Sequence, residues 1–238
     1  RLFVRKGIYS GEALEHWMRT RLKEKGIRTF SDLPQQQLRI IASDITNGKL
    51  LVLPDDIAQY GIDPSRFEIA KAVRMSTSIP YFFDPVIIRC RKKNRNKRRS
   101  MAYESNYIVD GALLSNFPLW LFDHHSGGRF IPTIGFQLVG RNEGKPHAIR
   151  GPITMLQALF STMLSAHDER YIEQHNRFRT IKIPTLGVTA TQFDLNTETS
   201  NRLYQSGYDA ASKFFREWDP AKYQNEWKKI REMGRKPQ

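Results

Sequence analysis

A β-branched and aromatic run that breaks abruptly on Asp-Gly-Ala, Tyr107-Ile108-Val109-Asp110-Gly111-Ala112, most narrows what this chain can fold into. Tyr, Ile and Val favour strands. The strand they predict ends on a carboxylate, and open α/β sheets place their reactive groups outside the carboxyl edge of the strands. Gly111 and Ala112 carry so little side chain that room is expected beside Asp110 for a substrate or a second reacting group. Asp-Gly is also foremost a turn signal, and taken alone the dipeptide reads as an ordinary turn. The rest of the chain weighs between the two.

The flanking segments alternate in type. Ser10 is expected to cap a helix with Leu14, Trp17, Met18 and Leu22 on one face, ending at Gly26, with Glu15 and Arg19 as a helical charge pair. Leu38–Ser43, reaching Asp44, and Lys49–Leu53 read as two strands joined by Asn47-Gly48, a hairpin signal. Asp63-Pro64-Ser65 predicts a second helix running through Val73 and ending near Ile79-Pro80. Phe82–Cys90 reads as a strand, Phe130–Val139 as another, Ile153–Asn176 as a long helix, Thr180–Ile183 as a short strand, and Ser200–Trp218 as a last helix. Strands and helices in alternation predict an α/β sheet domain over residues 1–238, ending in a charged tail from 219 to 238 without clear periodicity apart from Tyr223 and Trp227, four apart.

Charge and cysteine bound the function. Lys and Arg number 38 against 24 Asp and Glu, a formal +14 that favours anionic partners, whether membrane surface or nucleic acid. The most basic run is Arg89–Ser100, RCRKKNRNKRRS, and it contains no aromatic residue to stack on bases, which counts against nucleic acid as the partner. Cys90 is the single cysteine, so an intrachain disulfide is impossible and a reducing, cytoplasmic location is expected. No stretch approaches the roughly 18 apolar residues of a membrane span, so membrane contact is expected to be peripheral. The start, Arg1-Leu2-Phe3-Val4-Arg5-Lys6, has no initiator Met and no long apolar core, so the chain reads as a piece of something longer. His124 and His125 are adjacent, and His167 and His175 are eight residues apart on an expected helix, so no metal site is expected. Neither Gly-x-Gly-x-x-Gly nor a phosphate-binding loop occurs, no cofactor is expected, and Gly-x-Ser-x-Gly is absent from the 238 residues.

Three stretches, in this order and spacing, carry a resemblance: LRIIASDITNGKLLVL at 38–53, AVRMSTSIPYFFDPV at 72–86, and YIVDGALLSNFP at 107–118, with a weaker match at 193–211. Together they look like the C-terminal part of a patatin-like phospholipase, most like the bacterial members. The resemblance implies a three-layer α/β/α fold, incomplete at its N-terminus, and hydrolysis of lipid acyl esters by a Ser–Asp dyad without a cofactor. It makes Asp110 the dyad aspartate and phospholipid or another lipid ester the substrate. It also implies that the oxyanion loop and the nucleophile elbow precede Arg1, so that this chain alone is inactive. Two other readings stay open. One is a catalytically inactive patatin-like domain that binds anionic lipid or a protein partner. The other is nucleic-acid binding through the basic run.

Overall fold

The computed structural model describes residues 7–34, 37–93, 101–115, 117–122, 131–140, 149, 151, 154–155, 158, 162, 176–188, 192 and 194–234. The chain divides into two compact units, residues 1–116 and 117–238.

The first unit is built on the hairpin that Asn47-Gly48 signals. Strands β2 (Ile40–Asp44) and β3 (Lys49–Leu53) pair antiparallel from Ile40↔Leu53 to Asp44↔Lys49. Gly48 lies at φ +63 in the connecting turn, a conformation that costs glycine nothing. Strand β6 (Met101–Asp110) lies antiparallel along the other side of β2, with Ala42 opposite Asp110, and β5 (Val86–Lys93) pairs antiparallel with β6. The sheet order is β3-β2-β6-β5. Asp110 therefore ends a strand whose neighbours both run antiparallel, and the carboxyl-edge rule of parallel sheets does not locate it.

Sequence expectations and structure part at three places in this unit. The apolar run at 82–90 is two strands, β4 (Tyr81–Phe83) and β5, separated by Asp84-Pro85, and β4 pairs parallel with β1 (Gly7–Tyr9). Asp63-Pro64-Ser65 starts only a short 3-10 turn, in which the Asp63 carboxylate accepts the Ser65 N–H at 2.9 Å. Phe67 and Glu68 are then extended, because Phe30 N–H donates to Phe67 and Ile69 N–H to Arg28, and α2 begins at Ile69 and ends at Ser76. On α1 (Glu12–Lys23), Leu22 packs on the core, but Trp17 is 54% exposed. Ser10 sits one residue before the cap and accepts the Glu12 N–H at 3.3 Å.

The Glu15–Arg19 pair is present at 2.6 Å and belongs to a larger network. Arg19 also bridges Glu68 at 2.8 Å, Arg28 reaches Glu68 at 2.7 Å, and Arg74 reaches Glu15 at 3.2 Å, tying α1 to α2. The core beneath is built on apolar side chains: Ala42, Leu51, Leu53, Ile57, Met75 and Ile108 are fully buried. Each large side chain among them contributes about 1.5–3 kcal/mol by leaving water.

In the second unit β7 (Gly135–Val139) pairs parallel with β8 (Thr180–Pro184). Helix α3 (Thr197–Glu217) packs on β8, its first turn capped by Asn196, which accepts the Thr199 N–H at 2.8 Å. Residues 220–234, where Tyr223 and Trp227 are the one legible periodic pair, form α4 (Pro220–Gly234). Buried Tyr223 explains its place: the hydroxyl accepts the Thr133 N–H at 2.8 Å and donates to the Thr133 carbonyl at 2.9 Å. Of the long helix expected over 153–176, Thr154, Met155, Ala158 and Thr162 are helical, and most of the remainder lies outside the described residues. Among the described residues no helix is long and apolar enough to cross a membrane.

Candidate active site

Asp110 is the last residue of β6, and two backbone contacts fix it. Its N–H donates to the Ser78 carbonyl at 3.0 Å, just beyond the end of α2. Its carboxylate accepts the Ala112 N–H through Oδ1 at 2.8 Å, closing a short turn that continues as a 3-10 turn over Gly111–Leu113. Oδ2 accepts no hydrogen bond from any described residue. Burial pushes the carboxyl above the ordinary aspartate range, and the Ala112 N–H only partly offsets this.

Gly111 serves another purpose than the one its size suggests. A Cβ there would lie 2.7 Å from the Ile41 carbonyl carbon, and closer still to its oxygen. The missing side chain is thus replaced by the backbone of β2, and the space is not open to a substrate. Ser43 in β2 adds a long hydrogen bond, its hydroxyl 3.5 Å from the Gly111 carbonyl. The turn that carries Asp110 is consequently held on both sides, by β2 at Gly111 and by Ser78 at the strand end.

The hydroxyls of Arg74–Ser78 serve the helix end. Thr77 Oγ1 donates to the Val73 carbonyl at 2.9 Å and Ser78 Oγ to the Arg74 carbonyl at 2.7 Å. Such back-bonding is how Ser and Thr ordinarily close a helix. Ser78 is 1% exposed, so its hydroxyl is not placed to attack a substrate. Asn116, of the Asn-x-Pro step, lies outside the described residues, as do His124, His125, His167 and His175.

A second carboxylate, Asp44, shows the contrast. It is fully buried and accepts the Thr46 N–H at 2.8 Å, the Asn47 N–H at 3.1 Å, Asn47 Nδ2 at 2.7 Å and the Tyr60 hydroxyl at 2.6 Å. Burial alone would raise its pKa, but the donors from Asn47, Tyr60 and Thr46 outweigh it and hold the carboxyl below the ordinary range. Asn47 Nδ2 also reaches Asn106 Oδ1 at 2.7 Å, which extends the network to β6. Asp44 is saturated and serves the hairpin; Asp110 keeps one oxygen that accepts no hydrogen bond from the described residues.

An open cleft of about 780 Å³ lies elsewhere in this unit, lined by α1, α2 and the start of β5, and Asp110 does not line it. Its mixed charges, among them Glu12, Arg66 and Lys71, suit no acyl-transfer chemistry. Among the described residues no group of three His, Cys, Asp or Glu side chains could hold a metal ion. Sequence reasoning picked out Asp110 from its strand end. It missed the Ser78 carbonyl and the packing of Gly111 on Ile41, since main-chain partners leave no signature in side-chain types.

The comparisons bear on these same residues. The sequence profile described as Patatin-like phospholipase matches residues 1–123, just over half of the chain, and that span holds Asp44, Ser78, Asp110 and Gly111. YqhO of Bacillus subtilis, an uncharacterized protein, is 40% identical over 218 residues, covering 91% of this chain and 70% of its own length. The crystal structure of VipD from Legionella pneumophila is similar at a TM-score of 0.42 and 17% identity, over 78% of this chain and 33% of that one, so the chain spans a third of that protein. A profile match of that extent over the sheet that carries Asp110, with a relative alike across nearly the whole chain, settles the family: the chain belongs to the patatin-like phospholipases and has their α/β fold.

Proposed function

We infer that the protein, together with a nucleophile supplied from outside residues 1–238, hydrolyses acyl esters of lipids, phospholipids foremost, by a Ser–Asp dyad in which Asp110 is the general base. One observation carries the reading: Asp110 presents a partly buried carboxylate with raised proton affinity, oriented through Oδ1 and, among the described residues, unengaged at Oδ2. Family membership makes a lipid ester the substrate class. The nucleophile is proposed to come from a Gly-x-Ser-x-Gly elbow outside residues 1–238, which contain none.

The chemistry balances on these groups. Asp110 Oδ2 takes the serine proton as the serine oxygen attacks the ester carbonyl carbon. The tetrahedral adduct collapses, expelling the alcohol of the lipid, which recovers that proton from Asp110. Water then attacks the acyl-serine, again giving a proton to Asp110, and the serine leaves with it as the free acid is released. An ordinary aspartate, with a pKa near about 4, is a poor base at neutral pH. Burial raises its proton affinity and so brings it closer to the task. The enzyme is proposed to act in the cytoplasm at an anionic membrane surface, supported by its single cysteine and its formal charge of +14.

The test is a serine-reactive fluorophosphonate probe applied to residues 1–238 alone and to a longer form that carries the proposed elbow. Labelling is expected only in the longer form, at one serine whose change to Ala abolishes it. Stoichiometric labelling of the shorter form would place the nucleophile within it. No labelling of either would favour an inactive lipid-binding or protein-binding domain.

A further inference from the structure

The open cleft beside α1, α2 and the start of β5 carries four carboxylates and four cations among the described residues of its walls. Two of each, Glu15 and Glu68 with Arg19 and Arg74, are joined in the ion-pair network that ties the helices together. The other four are left over. Among the described residues Arg66 and Lys71 form no ion pair, and the carboxylates of Glu12 and Asp84 accept no hydrogen bond. Asp84 Oδ1 is also buried without a donor, a state that folded proteins seldom leave uncompensated.

These four charges come from separate pieces of chain. Glu12 opens α1, Arg66 closes the 3-10 turn before α2, Lys71 lies in α2, and Asp84 lies between β4 and β5. Merely solvated charges need neither a concave wall nor an apolar floor, yet buried Phe67 and Val86 line the same cleft. A cleft of about 780 Å³ with apolar lining and a few convergent polar groups has the form of a small-molecule site. A ligand that satisfies it must carry both signs. A phosphodiester offers oxygens to Arg66 and Lys71 together. Glu12 and Asp84, acceptors that lack donors, select a positive group with N–H. A primary ammonium has three such donors, whereas a quaternary ammonium has none and is held by aromatic cages. Only Phe67 and Tyr107 are aromatic among the described lining residues, too few for a cage.

We propose that this cleft binds the phosphoethanolamine headgroup of a phospholipid, with Arg66 and Lys71 on the phosphate and Glu12 and Asp84 on the ammonium. The choice of a lipid over a free zwitterion rests on the lipid-hydrolase reading. Binding is measured without turnover, so that reading can fail in its own labelling test while this one stands.

The experiment measures heats of binding of the 238-residue chain to glycerophosphoethanolamine, glycerophosphocholine and inorganic phosphate. Sedimentation with phosphatidylcholine vesicles, with and without phosphatidylethanolamine, is measured beside it. Glycerophosphoethanolamine should bind saturably and at least about tenfold more tightly than the other two, each of which lacks the N–H donors for Glu12 and Asp84. Phosphatidylethanolamine should raise sedimentation with the vesicles. Arg66→Gln with Lys71→Gln should weaken glycerophosphoethanolamine and phosphate alike by more than about tenfold. Glu12→Gln with Asp84→Asn should weaken glycerophosphoethanolamine by about tenfold and leave phosphate no weaker. Unchanged melting temperatures show that the variants fold; if the Asp84 change lowers them, Glu12→Gln alone is read in its place. Absence of binding, or binding that neither variant moves, overturns the assignment. Equal binding of phosphate overturns it in favour of a simple anion site, and equal binding of glycerophosphocholine removes the ammonium contact. Headgroup binding with no gain on phosphatidylethanolamine vesicles gives the cleft to a free zwitterion and overturns the lipid.

Discussion

The main-chain N–H of Asp110 donates to the carbonyl of Ser78 at 3.0 Å, so the end of a strand is pinned to the end of a helix 32 positions earlier in the chain. Ser78 is itself tied back, through its hydroxyl, to the Arg74 carbonyl at 2.7 Å. Replacing Ser78 by Ala removes that buried bond while leaving the carbonyl that holds Asp110. A loss of about 1 kcal/mol in denaturant unfolding is expected, the usual net worth of such a bond. In a longer form that carries the proposed nucleophile, turnover should fall less than tenfold. A loss as large as that from changing Asp110 would mean the Ser78 hydroxyl acts in the chemistry.

Gly111 should be intolerant of the smallest enlargement. An Ala Cβ would meet main-chain atoms of Ile41, which cannot swing aside as a side chain can. Overpacking of this kind costs about 1–3 kcal/mol, and here it would also shift the turn that carries Asp110. Gly151, with nothing within 4 Å of a built Cβ and no positive φ, is the control. Gly111→Ala is expected to melt several degrees below wild type and Gly151→Ala to match it. Equal stability of the two would show that β2 yields easily at Ile41.

Much of this arrangement was legible because it is local. Asn47-Gly48 marks a turn that only a hairpin uses well, and the Tyr107–Val109 run announces a strand ending at Asp110. Pairing direction is different: β6 has the same apolar content whether its neighbours run parallel or antiparallel, so periodicity could not choose. Asp63-Pro64 has good helix-start chemistry, yet Phe67 and Glu68 are drawn into extended backbone by hydrogen bonds to the Thr29 region, a tertiary pull that outweighs propensity. Helix α4 hid for the opposite reason. Among its described side chains the buried one is Tyr223, anchored to the distant Thr133, and Trp227, four residues on, is its one legible companion in the sequence. Gly111 was misread because glycine looks the same in sequence whether its empty side is filled by substrate or by backbone.

Asp44 should govern acid stability. Its folded pKa lies below the ordinary 3.8, so its contribution is fully present above that pH and is lost as pH falls through the lower folded value. Asp44→Asn places an amide N–H₂ against the donors of Asn47 and Tyr60 and should cost about 2–3 kcal/mol at neutral pH. The variant should also lose part of the stability decline seen on acidification below pH 3.8. Melting curves across that range decide it: parallel pH profiles for wild type and variant would mean that Asp44 is not held ionised in the fold.

Asp110 carries the opposite sign, and the two carboxylates together make the sharpest test. Its folded pKa is raised, so the folded state holds the proton more tightly than the unfolded chain does. Its contribution to stability is therefore present below the unfolded value of 3.8 and is lost as pH rises through the folded one. Wherever the carboxyl is ionised, its partial burial is a cost that Asn does not carry. The Asn oxygen can still accept the Ala112 N–H, so the turn survives. Asp110→Asn is thus expected to be at least as stable as wild type at neutral pH. In the longer form, its turnover should fall about 10²- to 10⁴-fold, because an amide cannot take the serine proton. Asp209→Asn, at an exposed carboxylate on α3 that accepts Gln205, should change neither quantity. A structural aspartate would lose stability on this change and keep its rate; a general base does the reverse. Retained turnover with a still-essential serine would move the proton acceptor to another residue.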